Sequence, residues 1–425
     1  MRGFVPLAQL LRMRRAMATS ASDPTTVEGE ELALLFGPHP ASAFPTDALV
    51  GKMLDYGPGI SDLVFSPGRP PQVEQDGELT RVPISGLEKL SAGHTAVIAR
   101  HLVAGQPQAV RALRDQGACD LSFVLGDRAR FRVNVFRQRG TFAVVMRLIA
   151  TKVPTLQELG LPPYLARIAA LKSGIVLVTG PTGSGKSSTL AAMIDLINET
   201  RAEHILTIED PVEYLHEHKK GTVHQRELHS DTPTFALALR AALRQAPKVI
   251  LVGEMRDRDT MEIALTAAET GHLVLSTLHT IDAARTVDRV IGAFDVGDQQ
   301  AIRIRLAATF RAFISQRLVP RKGGGRIALL EILTSTLRTR EYIEKGDSEG
   351  RSLLDAMRDG EMDGMQHFDG EIERLVRAGV ISAQVGLLNA TNPGNLRVMM
   401  ADLSLDDEPV ASSQVEGLEL GLISQ

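Results

Sequence analysis

Residues 180–187 read Gly-Pro-Thr-Gly-Ser-Gly-Lys-Ser, and no other stretch restricts the fold as much. They match G-x-x-x-x-G-K-[ST] in full, the loop whose backbone N–H groups close around phosphates. The context also fits. An apolar run, Ile175–Thr179, precedes the loop, and a helical pattern, Lys186–Ile197, follows it. Glycines allow the tight turn, and the helix N-terminus favours an anion. Gly180, Pro181, Thr182, Gly183, Ser184, Gly185 and Ser188 are therefore expected to line a nucleotide. Lys186 is expected on the β- and γ-phosphates of ATP, and the Ser187 hydroxyl on Mg²⁺.

Around this loop, Gly174 to Leu278 alternates apolar runs with helical patterns. The further runs are Ile205–Glu209, Val249–Val252 and Leu273–Thr277. Unbroken apolar strands alternating with helices point to a parallel sheet covered on both faces. Ligands of such sheets collect at the strand C-termini, where three groups stand out. Glu209, Asp210 and Glu213 follow one strand. Glu254 follows another, at the Walker B position, with Gly253 where an Asp is usual. His272 and His279 bracket a third. Bland alternatives stay open: a solvated turn at Pro211, an ion pair of Glu254 with Arg256 or Arg258, and structural histidines. The irregular spacing of His216, His218, His224 and His229 disfavours a zinc site.

Residues 1–45 read as a disordered leader rich in Ser, Thr, Pro and Ala, with Met13 or Met17 as a possible working start and a weak basic amphipathic anchor as the other reading. From 46 to 150 the chain reads as a mixed α+β domain. Asp47–Tyr56, His94–Ala104 and Gln108–Gln116 are expected helices, and hairpin turns are expected at Asp76-Gly77 and Gly126-Asp127. Thr151–Pro154 reads as a linker into an ATPase domain spanning 151–330. A helical stretch is expected over Gln299–Leu318 and a strand over Ile327–Leu333. A C-terminal helical region, 331–402, includes Arg338–Ile343, Leu353–Asp359 and Glu371–Ala378. An acidic, disordered tail covers 403–425.

The net charge of −4, no Trp and only four Tyr argue against a nucleic-acid coat or a base-stacking translocase. The single cysteine, Cys119, rules out an intrachain disulfide and a multi-cysteine zinc site. It reads as a small buried apolar residue. No window reaches the roughly 20 apolar residues of a membrane span.

The order of these motifs resembles the type II/IV secretion-system ATPase superfamily and, within it, the pilus retraction ATPases. Thr207–Tyr214 is similar to its Asp box, Gly253–Asp257 to its Walker B segment and Ala268–Thr280 to its His box. Arg130–Asn134 is similar to a first-domain strand and Ser61-Asp62-Leu63 to the opening signature. The resemblance covers Thr46 to Met400. It implies a PAS-like first domain and a RecA-like second, assembled as a homohexamer in the cytoplasm. Such a ring would associate with the membrane through an inner-membrane pilus platform protein, and drive pilus retraction. It implies Glu213, Glu254, His272 and His279 as catalytic residues, with Ser187 and Glu254 at the metal. Arg132 and Arg147 are the candidate nucleotide contacts of the first domain, with a surface ion pair as the alternative for each. A lone cysteine sets the chain apart from extension-type relatives, which carry a four-cysteine zinc element. In the helix Arg338–Lys345, only Arg340 and Ile343 agree with the retraction motif. That departure and the acidic tail lean toward the accessory retraction paralogue, whereas Gly364–Asp369 fits the retraction branch. An adaptor ring beside a paralogous ATPase and a type IV secretion traffic ATPase are the alternatives.

Overall fold

A computed structural model describes residues 32–36, 45–75, 77–149, 152–346 and 352–403. The expected leader (1–45) and acidic tail (403–425) therefore lie almost wholly outside the described residues. Two compact units divide the chain, Met1–Thr151 and Lys152–Gln425.

In the first unit, six strands form one antiparallel sheet in the order β3-β2-β1-β6-β5-β4. They are β1 (Ile60–Phe65), β2 (Gln72–Gln75), β3 (Glu78–Arg81), β4 (Ala118–Leu125), β5 (Ala129–Gln138) and β6 (Thr141–Ile149). Helices α1 (Thr46–Leu54), α2 (Ala92–Val103) and α3 (Pro107–Gln116) pack with it. Strict alternation explains β5. Ala129, Phe131, Val133 and Val135 are buried, and the residues between them are not, so one face meets the core. Both expected hairpins form, pairing Gln75 with Glu78 and Leu125 with Ala129. Burial pushes the Cys119 thiol up to about 11, which makes it an inert core residue.

The second unit is built on a seven-stranded sheet, ordered β13-β12-β7-β11-β10-β8-β9. Its strands are β7 (Gly174–Thr179), β8 (His204–Glu209), β9 (Thr222–Glu227), β10 (Val249–Val252), β11 (Leu273–Leu278), β12 (Phe310–Pro320) and β13 (Arg326–Thr334). All neighbours are parallel except β13 on β12. Helix α4 (Tyr164–Ala169) precedes them, and the helices between them are α5 (Lys186–Thr200), α6 (Phe235–Ala242), α7 (Arg258–Glu269), α8 (Ala283–Ile291) and α9 (Gln299–Thr309). Central strands β7, β10 and β11 are buried at every position. Side chains leaving opposite faces of β7 enter two separate apolar clusters, with Ile175 and Leu177 in one and Val176 and Val178 in the other.

One expectation is corrected. Gln299–Leu318 is not a single helix: α9 ends at Thr309 and β12 begins at Phe310. Residues Ala312 to Gln316 are buried throughout because β12 fills the sheet between β7 and β13. A short apolar run of this kind has no period that separates strand from buried helix. Strand β9 carries no such apolar signal in the sequence, because it is polar and lies at the sheet edge.

The C-terminal helices belong to this second unit. They are α10 (Leu337–Lys345), α11 (Leu353–Asp359), α12 (Phe368–Arg377), α13 (Ala383–Asn389) and α14 (Pro393–Met399). Phe368, Ile372, Leu375 and Leu396 cluster with Val319 of β12 and Leu329 of β13. Among the described residues, no helix is long and apolar enough to cross a membrane.

Candidate active site

The phosphate loop is held from both ends. Gly180, at φ 140°, would carry a Cβ 2.2 Å from the Gln316 carbonyl oxygen, so only glycine fits there. Gly185 caps α5 in the left-handed region at φ 88°. From β12, buried Gln316 donates through Nε2 to the Ser184 carbonyl at 2.6 Å. Its Oε1 accepts from Thr189 Oγ1 at 2.8 Å. One amide thus ties the loop to the first turn of α5.

Inside the loop, Lys186 Nζ donates to its own carbonyls, Gly180 at 2.9 Å and Pro181 at 3.0 Å. Burial holds the Lys186 ammonium below its usual pKa, against the opposing pull of Glu254 and Glu213. The Ser184 hydroxyl is buried without a partner among the described residues. A buried orphan hydroxyl beside a buried ammonium fits a polyphosphate, which accepts from both. Ser187 follows at the first turn, and Ser188 Oγ lies 2.8 Å from the Tyr214 hydroxyl.

Opposite the loop stand the acids. Glu254 follows β10 through Gly253, whose N–H donates to the Ile208 carbonyl at 2.7 Å and whose carbonyl accepts from Thr277 Oγ1 at 2.6 Å. A Cβ on Gly253 would come within 3.2 Å of the Ile208 oxygen and 3.3 Å of the Glu209 Cα. Close strand packing therefore accounts for a glycine where the Walker B pattern usually has Asp. Glu254 Oε1 is 3.1 Å from His279 Nε2, and Oε2 is 2.7 Å from Arg256 Nη2. Burial raises the Glu254 carboxyl, but Arg256 and His279 outweigh it and leave the group below its ordinary pKa. The ion pair weighed as a bland alternative thus exists, and the same carboxylate still faces the loop.

Glu209 differs. Burial pushes it up to about 7, although Thr207 Oγ1 donates to it at 2.6 Å and Gln225 Nε2 at 3.1 Å. Glu209, Asp210, Glu213, Glu254 and His279 line one cavity of about 450 Å³ together with residues 182–188.

One expected residue of this unit stands elsewhere. His272 is at the opposite end of β11, its Nδ1 2.9 Å from the Ala267 carbonyl. The six strand residues between the two histidines span about 20 Å, so only His279 joins the cavity. Arg132 and Arg147 lie in the first unit as direct cross-strand neighbours on β5 and β6. Arg147 Nε pairs with buried Asp62 at 2.9 Å, and Arg132 Nε lies 3.9 Å from Asp120. Sequence reasoning missed Tyr214 and Arg326 at the cavity, and Gln316 bracing the loop from β12. Gln316 was hidden inside the stretch read as helix. Tyr214 ends the Asp-box segment but was not singled out within it, and Arg326 lacks any local pattern.

The family described as "Type II/IV secretion system protein" matches residues 85–358. The type IV pilus retraction ATPase PilT of Pseudomonas aeruginosa is 44% identical over 337 residues, covering 79% of this chain and 96% of that protein. The type IV pilus ATPase PilU of the same organism is 38% identical over 368 residues, covering 85% and 93%. A crystal structure of the pilus retraction motor PilT with bound ADP superposes with a TM-score of 0.74 at 38% identity, covering 83% of this chain and 99% of that one. An intact phosphate loop facing a paired glutamate, on a fold shared with an ADP-bound motor, leads to one assignment: the chain belongs to the type II/IV secretion system protein family, among its pilus retraction ATPases.

Proposed function

We propose that the protein hydrolyses ATP to drive type IV pilus retraction, working as a ring of six subunits at the cytoplasmic face of the inner membrane. The observation that carries this reading is the Glu254 carboxylate, ionised by Arg256 and His279 and facing Lys186 across one cavity. Lys186 donates to two loop carbonyls and exchanges them for the β- and γ-phosphates. The orphan Ser184 hydroxyl gains an acceptor at the same time. Glu254 takes a hydrogen bond from the attacking water and, with Glu213, sets its direction for in-line displacement. His279 holds the Glu254 carboxylate in place and registers its charge. Ser187 and Glu254 are the residues that would hold Mg²⁺, directly or through water, and the ion would supply charge neutralisation at the phosphates. Arg132 and Arg147 are the cations of the first unit that we assign to the nucleotide. The ring passes its motion to a membrane platform protein, and pilin leaves the fibre base.

A second reading, an accessory ring beside a paralogous retraction ATPase, rests on the altered α10. That helix keeps Ile343 in the core but departs from the retraction motif at most other positions. The test is steady-state ATPase activity of the wild type against Glu254→Gln, with mass by light scattering and a twitching assay of the deletion strain. A hexamer whose turnover collapses in Glu254→Gln, with twitching lost on deletion, supports the motor. Turnover equal to that of the variant supports the accessory ring. A secretion defect with normal twitching moves the assignment to a traffic ATPase.

A further inference from the structure

A second cavity, of about 370 Å³, lies in the same unit away from the phosphate loop, between α4 and the β13–α10 turn. Arg167, Arg311 and Arg340 line it, with the hydroxyl residues Thr334, Ser335 and Thr336, the Tyr164 ring, and a single carboxylate, Asp363. None of the three arginines has an ion-pair partner among the described residues. Three guanidinium charges against one carboxylate leave a surplus of two positive charges.

Both inner arginines are held in place by one part of the guanidinium, leaving the rest available. Arg311 Nη1 donates to the carbonyls of Ala308 at 3.0 Å, Thr309 at 3.3 Å and Phe310 at 3.0 Å, closing the C-terminus of α9. Its Nε and Nη2 hydrogens make no hydrogen bond to described residues. Arg340 Nε donates to Ser335 Oγ at 2.8 Å, and its two amino groups are likewise unused. The Ser335 N–H in turn donates to the Arg311 carbonyl at 2.9 Å, which fixes the two arginines about one turn. Burial first, and the neighbouring Arg340 charge second, hold the Arg311 guanidinium below its usual pKa. Like charges gathered in a concave site with spare planar donors are stabilised by an oxyanion.

We propose that this cavity binds a small phosphate-bearing anion, with Arg311 and Arg340 donating to the phosphate oxygens and Arg167 at the rim. A phosphate dianion balances the surplus of two, which a single carboxylate does not. Inorganic phosphate and a phosphomonoester share this chemistry. Tyr164, Ile168 and Met362 line the same cavity and offer surface for the body of a monoester.

The experiment uses the full chain saturated with ADP, so that the phosphate loop is filled. Inorganic phosphate and AMP are titrated by calorimetry into the wild type, Arg340→Gln and Arg167→Gln. At least one probe should bind the wild type, and Arg340→Gln should weaken it about tenfold. AMP binding more tightly than phosphate marks a monoester site, and equal affinity marks a site for free phosphate. Arg311→Gln also removes a helix closure, so its folding is checked by circular dichroism and the proposal stands or falls on the other two variants. Absence of binding for both probes to the ADP-loaded wild type, or affinity unchanged in both variants, would overturn the proposal.

Discussion

The imidazole of His279 stands 3.1 Å from the Glu254 carboxylate through Nε2, with Arg256 at 2.7 Å on the other oxygen. The carboxylate is thus held on both oxygens by neighbouring side chains. Glu254→Gln keeps the shape and removes the charge. Turnover should fall at least about a hundredfold, the range for a positioned acid–base group, with ADP affinity nearly unchanged. His279→Ala frees one oxygen and should give a smaller loss in kcat, with KM moving little. Steady-state kinetics beside nucleotide titration separates these outcomes. A Glu254→Gln protein at wild-type rate would remove Glu254 from the reaction.

Gln316 offers a test remote from the acids. Replacing it with Ala leaves the Ser184 carbonyl and the Thr189 hydroxyl buried without partners, a loss of about 1–3 kcal/mol. Urea denaturation should show that loss, and ADP should bind more weakly because the loop is no longer tied. Unaltered stability and affinity together would mean the clamp is dispensable.

Gly253 makes the opposite test, since substitution adds atoms. Gly253→Asp restores the more usual Walker B residue, yet its Cβ would press on the Ile208 oxygen and the Glu209 Cα. Overpacking of this kind costs about 1–3 kcal/mol, so the variant should melt earlier and hydrolyse more slowly. A gain in rate would show that the strand ends give way.

A pH effect follows from Glu331, which is buried on β13, accepts from the Ala283 N–H at 2.8 Å and is pushed up to about 7 by burial. Its unfolded pKa is ordinary, so between about 4.5 and 7 the folded state binds more protons than the unfolded one. Stability should therefore fall as pH rises through that window and level off above it, by up to about 3 kcal/mol. Glu331→Gln retains the acceptor and should remove its share of the slope, leaving that of Glu209, which burial also pushes up to about 7, and should be more stable than wild type at alkaline pH and similar in acid. Parallel slopes in both proteins would assign the pH dependence to other groups.

What could be read from the sequence was local. Gly180 to Ser187, with a strand before and a helix after, is contiguous, and so is each apolar run ending in Glu209 or Glu254. The hairpins at Gly77 and Gly126 carry their own turn residues. What could not be read depends on chain folded far from itself. Phe310–Pro320 becomes a strand only because β7, more than a hundred residues earlier, offers it an edge, and Gln316 reaches the loop only as part of that strand. His272 and His279 look alike in sequence, but a straight strand separates them. Arg132 and Arg147 stand in register across β5 and β6, a relation that no spacing in the sequence displays.

Strand β12 carries two loads on consecutive residues. Gln316 grips the phosphate loop, while Arg317 donates to the Asn389 carbonyl at 2.5 Å and lies 3.8 Å over the Phe368 ring. Successive side chains of a strand leave by opposite faces, so the nucleotide pocket and the C-terminal helices bolt onto the two sides of a single rail. A shift of the rail itself would therefore be felt on both sides at once.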